Sequence, residues 1–233
     1  ISFAGSGTKT IVGGITATGT LTVGAGVTVN DASASHTLTG GITINNTGVL
    51  NFTGVINFAG NLITGYDFSI GNVTNMGSGS WTFTNNVTTG LTGVTAGQFR
   101  FGGDITINAG TLTLSNNTGI TSTGTNFTLA NTSAMNISGL TKPTGGVTNF
   151  PTGFASYTIG SSTTVRYNMA GDQVVTGGSS ITYANLQLLN NTKTVSGSPL
   201  IINGALTLNT VVADLSGVDV TLLGSIGNTG ACT

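Results

Sequence analysis

The strongest constraint on the fold is a two-residue alternation that recurs in very short pieces. Thr20-Leu21-Thr22-Val23, Val27-Thr28-Val29-Asn30, Ile42-Thr43-Ile44-Asn45 and Thr111-Leu112-Thr113-Leu114 each place apolar residues at i and i+2. Val49-Leu50-Asn51-Phe52, Val55-Ile56-Asn57-Phe58, Trp81-Thr82-Phe83-Thr84, Gln98-Phe99-Arg100-Phe101 and Ile105-Thr106-Ile107-Asn108 do the same. Side chains at this spacing share one face of a strand. Gly, Asn and Ser separate the pieces, and these residues accept positive φ or cap turns with their side chains. No stretch carries the i, i+3, i+4, i+7 stripe of an amphipathic helix.

Composition narrows the choice further. Charged residues are 5% of the 233, there is no Glu, and the net charge is −1. Helix surfaces are built from Glu, Lys, Arg, Gln and Ala, so this is not a helical composition. Five scattered bases cannot neutralise a run of phosphates, which argues against a nucleic-acid partner. The mean hydropathy of +0.31 comes from Val, Ile and Leu at alternate positions. No apolar run approaches the roughly 20 residues of a membrane-spanning helix. The pieces are also shorter than the roughly 9–11 residues of an outer-membrane strand, and aromatic girdles are missing.

Two all-β architectures remain, a sandwich and a parallel solenoid. The unvarying pattern, the absence of long hairpin partners and the Gly- and Asn-rich turns favour the solenoid. The sequence therefore predicts an all-β, right-handed parallel β-helix, and about 20–25 residues per coil gives roughly ten coils. Residues 1–138 form a first solenoid stretch and 158–233 its continuation. Between them, 139–157 interrupt the pattern with Lys142-Pro143, Gly145-Gly146 and Phe150-Pro151. Proline cannot donate a ladder hydrogen bond, so this segment leaves the sheet. Its Phe150, Phe154 and Tyr157 are expected to cover a core edge.

Chemistry-bearing residues are sparse. The six acids are Asp31, Asp67, Asp104, Asp172, Asp214 and Asp219. Asp214 and Asp219 lie closest, but a glycosidase pair needs two carboxyls at a set distance across a cleft, and each Asp reads better as a turn cap. His36 is the only histidine and has no neighbouring ligand type, so no metal set can be assembled. Gly102-Gly103-Asp104 matches a calcium-solenoid repeat only once. Nine Asn-x-Ser/Thr sequons follow from 24 Asn in a chain this rich in Ser and Thr. Trp81, Tyr66 and Phe68 are a candidate sugar platform or, more simply, core-edge residues. Cys232 has no partner for an internal disulfide. Thr pairs such as Thr18/Thr20/Thr22, Thr82/Thr84 and Thr111/Thr113 raise ice binding, although they do not recur at a constant interval. The sequence thus calls for no catalytic residue, no metal site and no cofactor.

Residues 161–209 carry the most specific pattern. Thr163-Thr164-Val165-Arg166-Tyr167-Asn168 and Gly171-Asp172-Gln173-Val174-Val175 come first. Tyr183-Ala184-Asn185-Leu186-Gln187-Leu188, Thr192-Lys193-Thr194-Val195 and Ile202-Asn203-Gly204-Ala205-Leu206-Thr207-Leu208 follow. This order resembles the repeat of large secreted surface proteins of Bacteroidota and related bacteria. The resemblance implies an extracellular β-solenoid used at the cell surface and exported by the type IX route, although no type IX sorting domain is visible.

Ile1-Ser2-Phe3 followed by Thr8-Lys9-Thr10-Ile11 parallels Leu186-Gln187-Leu188 followed by Thr192-Lys193-Thr194-Val195, with one more residue between. The chain thus begins in mid-repeat, either as a fragment or as the end of a stacking subunit. An uncapped solenoid end presents open strand edges and an apolar cross-section, and head-to-tail stacking gives a filament. The expectation is an extracellular structural or adhesive protein whose partner is itself, with glycans or host and abiotic surfaces as further partners. Its subunit joint is expected at Ile1, Ser2 and Phe3 on one side and Val218, Val220, Leu222 and Leu223 on the other. Alternatives are a carbohydrate-binding or polysaccharide-degrading β-helix, and an ice-binding solenoid.

Overall fold

The structure, a computed structural model, describes residues 1–31, 36–38, 104–114, 126–138, 150–151 and 153–229, together with short segments between residues 42 and 122. Among the described residues there are 28 short strands and no helix. The strands pair in parallel and stack as a β-solenoid. About six turns are counted, against the roughly ten expected for the whole chain.

One face runs through the whole molecule, from Ser2–Phe3 to Ile226–Asn228. Its register advances by about one coil per rung, with Ser2 opposite Thr22, Val165 opposite Leu186, Leu186 opposite Leu206 and Leu206 opposite Ile226. In the last coils two further faces complete the cross-section. Gln173–Thr176, Thr192–Ser196 and Val212–Asp214 form the second, and Thr182–Tyr183, Leu200–Ile202 and Val220–Leu222 the third.

The alternation read from sequence becomes an in-out pattern. Val165 and Tyr167 are buried while Thr164 and Arg166 between them are only partly so. Stacking repeats this at every rung, so inward residues form columns such as Val165, Leu186 and Leu206, or Tyr183 and Ile202. Each fully buried aliphatic side chain contributes about 1.5–3 kcal/mol. The columns are one residue wide, which explains how a chain with modest apolar content encloses a core.

Corners are made by residues that tolerate left-handed backbone. Asn190 and Asn191 turn the chain between the first and second faces with φ of 62° and 46°. Gly204 and Gly224 are demanded by close approach instead. A Cβ on Gly204 would meet the carbonyl oxygen of Ala184, and one on Gly224 would meet that of Gly204.

The segment 139–157 is described only in part: Ser156 and Tyr157 do not leave the sheet but belong to the strand Ser156–Ile159, at which that ladder stops. Residues 139–149 and 152 lie outside the described residues. Asn126–Ile137 is a long strand that pairs on one edge with Ile105–Leu114, while on the other its first part pairs with Ser156–Ile159 and its second with Thr164–Tyr167. Phe150 and Phe154 are buried, as expected of a core cover, with ring centroids 6.4 and 5.4 Å from Phe127. Phe150 also meets Tyr183 edge-on at 5.9 Å, filling the core beneath the break.

Candidate functional site

Three features of the solenoid are candidates for function: its first and last described coils, one register column on its flank, and a groove at the ladder break.

At the ends, inward columns are uncovered. Leu186 and Leu206 are 0% and 5% exposed, but Ile226, the next rung of that column, is 65% exposed. Leu200 is fully buried and its neighbour Val220 is 40% exposed. Leu223 and Val212 are exposed in the same coil at outward positions, Val212 in register with Thr192. At the other end Ile1 is exposed, whereas Leu21 one coil further on is fully buried. The residues expected at a subunit joint are therefore at the two ends, with Phe3, Val218 and Leu222 partly buried against the core. The pairing expected among them is different from the one the topology offers. Ser2–Phe3 begins the long face, and that face ends at Ile226–Asn228, while Val220–Leu222 ends the third face. Continuing the long face would set Ser2–Phe3 against Ile226–Asn228.

The parallel between Lys9 and Lys193 is structural too. Each sits on the strand that follows a rung of the long face, and each donates to the carbonyl three residues back, Ser6 and Asn190. Lys193 is fully buried and gains two more acceptors from the preceding coil, the carbonyls of Met169 at 3.3 Å and Gly171 at 2.9 Å.

On the flank a register column escaped the sequence reading. Thr16, Thr37, Asn57, Thr82, Thr106, Thr128 and Thr158 are successive partners along the axis. Thr16, Thr37 and Thr158 are exposed. Sequence intervals in this column run from 20 residues (Thr37 to Asn57) to 30 (Thr128 to Thr158), so no constant period betrays it. Corners absorb the difference in coil length and the strands keep register.

The groove lies where Ser156–Ile159 and Thr182–Tyr183 face one another without a shared ladder. The first has Asn126–Ile137 as its ladder partner and the second Leu200–Ile202. Between them opens a space of about 530 Å³, lined by Tyr157, Thr158, Ile159, Ser161, Thr182, Ala184, Asn203 and Gly204.

Several of the polar residues singled out from sequence bond to neighbouring backbone where they are described. Asp104 accepts from both the backbone N–H and the side-chain amide of Asn126, at 2.7 and 2.8 Å. Asp172 accepts from the Thr192 N–H and Asp214 from the Ser216 N–H. These are the turn and rung caps expected of Asp. His36 is fully buried and its Nδ1 accepts the Ile15 N–H at 3.2 Å. Among the described residues no three of His, Cys, Asp and Glu come together as a metal-ion set, and no helix is long and apolar enough to cross a membrane. Tyr66, Asp67, Phe68, Gly102, Gly103 and Cys232 lie outside the described residues, as do the side chains of Asp31 and Trp81.

The fold places the chain among parallel β-solenoids. No protein family matches it, and neither does any curated protein or solved structure.

Proposed function

We propose that the chain is an extracellular structural and adhesive β-solenoid, not an enzyme, that joins further copies end to end into a surface filament. The observation that carries this reading is the opening of the inward columns at the last coil, where Ile226 stands 65% exposed above a buried Leu206. A coil stacked on that face would bury it and continue the backbone ladder. Charge supports a second copy as that coil: Lys9 lies at one end and Asp214 and Asp219 at the other, on a chain of net charge −1. Low net charge favours association. Lys9 also has one carbonyl where Lys193 has three, and the two additional acceptors of Lys193 come from a preceding coil.

The test is sedimentation over a wide concentration range of the intact chain and of Ile226→Lys. Growth with concentration in the first and a single small species in the second support end stacking. A single small species for both contradicts it.

A second reading has its own observation. The column from Thr16 to Thr158 sets six Thr and Asn57 at the roughly 4.8 Å rung interval of a sheet. An uncharged rank of this kind suits an ordered water lattice. Thermal hysteresis of the purified chain, lost in Thr106→Lys, supports ice binding; no hysteresis sinks it.

A further inference from the structure

We infer that the groove beside the ladder break is a binding site for a neutral saccharide. The break creates it. In the stack that ends at Ser156–Ile159, Phe127 and Leu129 are fully buried, and their partners on the next rung, Tyr157 and Ile159, are only partly so. In the last coils a buried inward residue such as Val165 or Leu186 is covered by a following rung in ladder register. Here the next strand of that side, Thr182–Tyr183, forms its ladder with Leu200–Ile202 instead. The edges of two inward columns are thereby left as the apolar part of a groove.

Phe150 and Phe154 hold the Tyr157 ring in place, with centroids at 5.6 and 6.0 Å. The ring is thus packed on core aromatics, and Tyr157, only partly buried, also lines the groove. A ring fixed in this way presents an apolar face at little entropic cost.

The polar part of the lining is hydroxyl and amide. Thr158, Ser161, Thr182 and Asn203 contribute it, and no acid or base of the chain is among the lining residues. The Ser161 hydroxyl donates to Asn131 Oδ1 at 3.4 Å, which leaves its oxygen lone pairs to accept. This combination fits a sugar ring, whose axial C–H face is apolar and whose edge carries hydroxyls that both donate and accept. A phosphate, sulfate or uronate would find no counter-charge. The space of about 530 Å³ falls within the roughly 300–1,000 Å³ of small-molecule sites, and a ligand the size of a disaccharide fits.

Gly204 keeps the opposite wall low. A Cβ there would run into the Ala184 carbonyl and Asn185 Oδ1, so the wall cannot grow a side chain without parting two coils.

This inference deepens the adhesive half of the function proposed above and does not rest on assembly, because the groove is on the flank. The experiment is a glycan array carrying neutral and acidic oligosaccharides, followed by titration of the best neutral disaccharide, with dilute intact chain. Two variants accompany it: Asn203→Trp, which fills the groove from an exposed position, and Ser161→Ala, which removes one hydroxyl. Thermal melting confirms that each is folded. Binding of a neutral glycan that weakens by about tenfold or more in Asn203→Trp, and measurably in Ser161→Ala, supports the site. Binding of no neutral glycan, binding of acidic glycans alone, or neutral binding indifferent to both variants overturns it. A chain that fails to polymerise yet binds sugar would refute the filament and keep the groove.

Discussion

Lys193 lies in direct register with Gln173, one coil apart on the second face. Both side chains are buried, and both bond to backbone groups around the corner. Gln173 donates to the Ile137 carbonyl at 2.8 Å and accepts from the Met169 N–H at 3.2 Å. Lys193 donates to the carbonyls of Met169, Gly171 and Asn190. Two successive coils thus share one polar spine inside an otherwise apolar core. Replacing Lys193 by Met would keep the stem and strip three carbonyls of their donor. A buried polar group left without a partner costs about 1–3 kcal/mol. Lys193→Met is expected to lose about 3 kcal/mol in urea unfolding at pH 7; an unchanged midpoint would show that the carbonyls find other partners.

Burial lowers the pKa of Lys193 to about 8, with the charge of Asp172 pulling the other way. In the unfolded chain the same amine keeps its ordinary value of 10.5. Between those limits the unfolded state holds more protons, so stability rises with pH across that window. Tyr167 and Tyr183 act in the opposite sense. Burial raises both above 10.0, so at higher pH the unfolded chain releases its phenol protons first and stability falls. Unfolding midpoints are expected to climb from pH 8, peak near pH 10 and then decline. Lys193→Met should abolish the climb and keep the decline. A steady fall from pH 8 would refute the assignment.

The two tyrosines close a ring of hydrogen bonds with one peptide unit. The Thr176 N–H donates to the Tyr167 hydroxyl at 3.1 Å, and the Tyr183 hydroxyl donates to the Thr176 carbonyl at 2.6 Å. The hydroxyls are 3.2 Å apart, and the proton left to Tyr167 points to Tyr183. Tyr167→Phe and Tyr183→Phe should each cost about 1–3 kcal/mol. The double variant should cost clearly less than the two together, because each single change already breaks the ring. Strict additivity in a double-mutant cycle would contradict the closed arrangement.

Thr210 occupies the corner that Asn190 occupies one coil earlier, as the register of Leu189 with Asn209 requires. Its φ is 50°, a left-handed value that a β-branched residue adopts at a cost. Asn tolerates that conformation better. Thr210→Asn is therefore expected to raise stability by about 1 kcal/mol, seen as a higher melting temperature. A lower one would mean that the 3.0 Å contact from Thr210 Oγ1 to Asn209 Oδ1 outweighs the backbone strain.

Much of this architecture is legible in the residues themselves. The alternation in Thr164–Tyr167 or Leu200–Ile202 states which side chains point inward, because a strand has a period of two. Parallel stacking follows from brevity and repetition. The likeness of Lys9 to Lys193 is visible as Thr-Lys-Thr at both places. Other features are not legible, for a physical reason: register is a long-range property. Corners of unequal length hide the alignment of Thr128 with Thr158. The groove is the product of a missing ladder, and no local pattern around Tyr157 or Thr182 announces that their strands fail to pair. Which face a rung added beyond Ser2–Phe3 would extend is hidden for the same cause, since Val220 and Ile226 look equally strand-like in sequence but belong to different faces.

The central claim is that this solenoid continues from copy to copy through its ends. Negative-stain electron microscopy of the purified chain, at several concentrations, tests it most directly. Long threads of uniform width that lengthen with concentration, and that vanish when Ile1–Phe3 are deleted from a chain that still folds, are the predicted result. Isolated short rods at every concentration, or unaltered threads from the deletion, would contradict it.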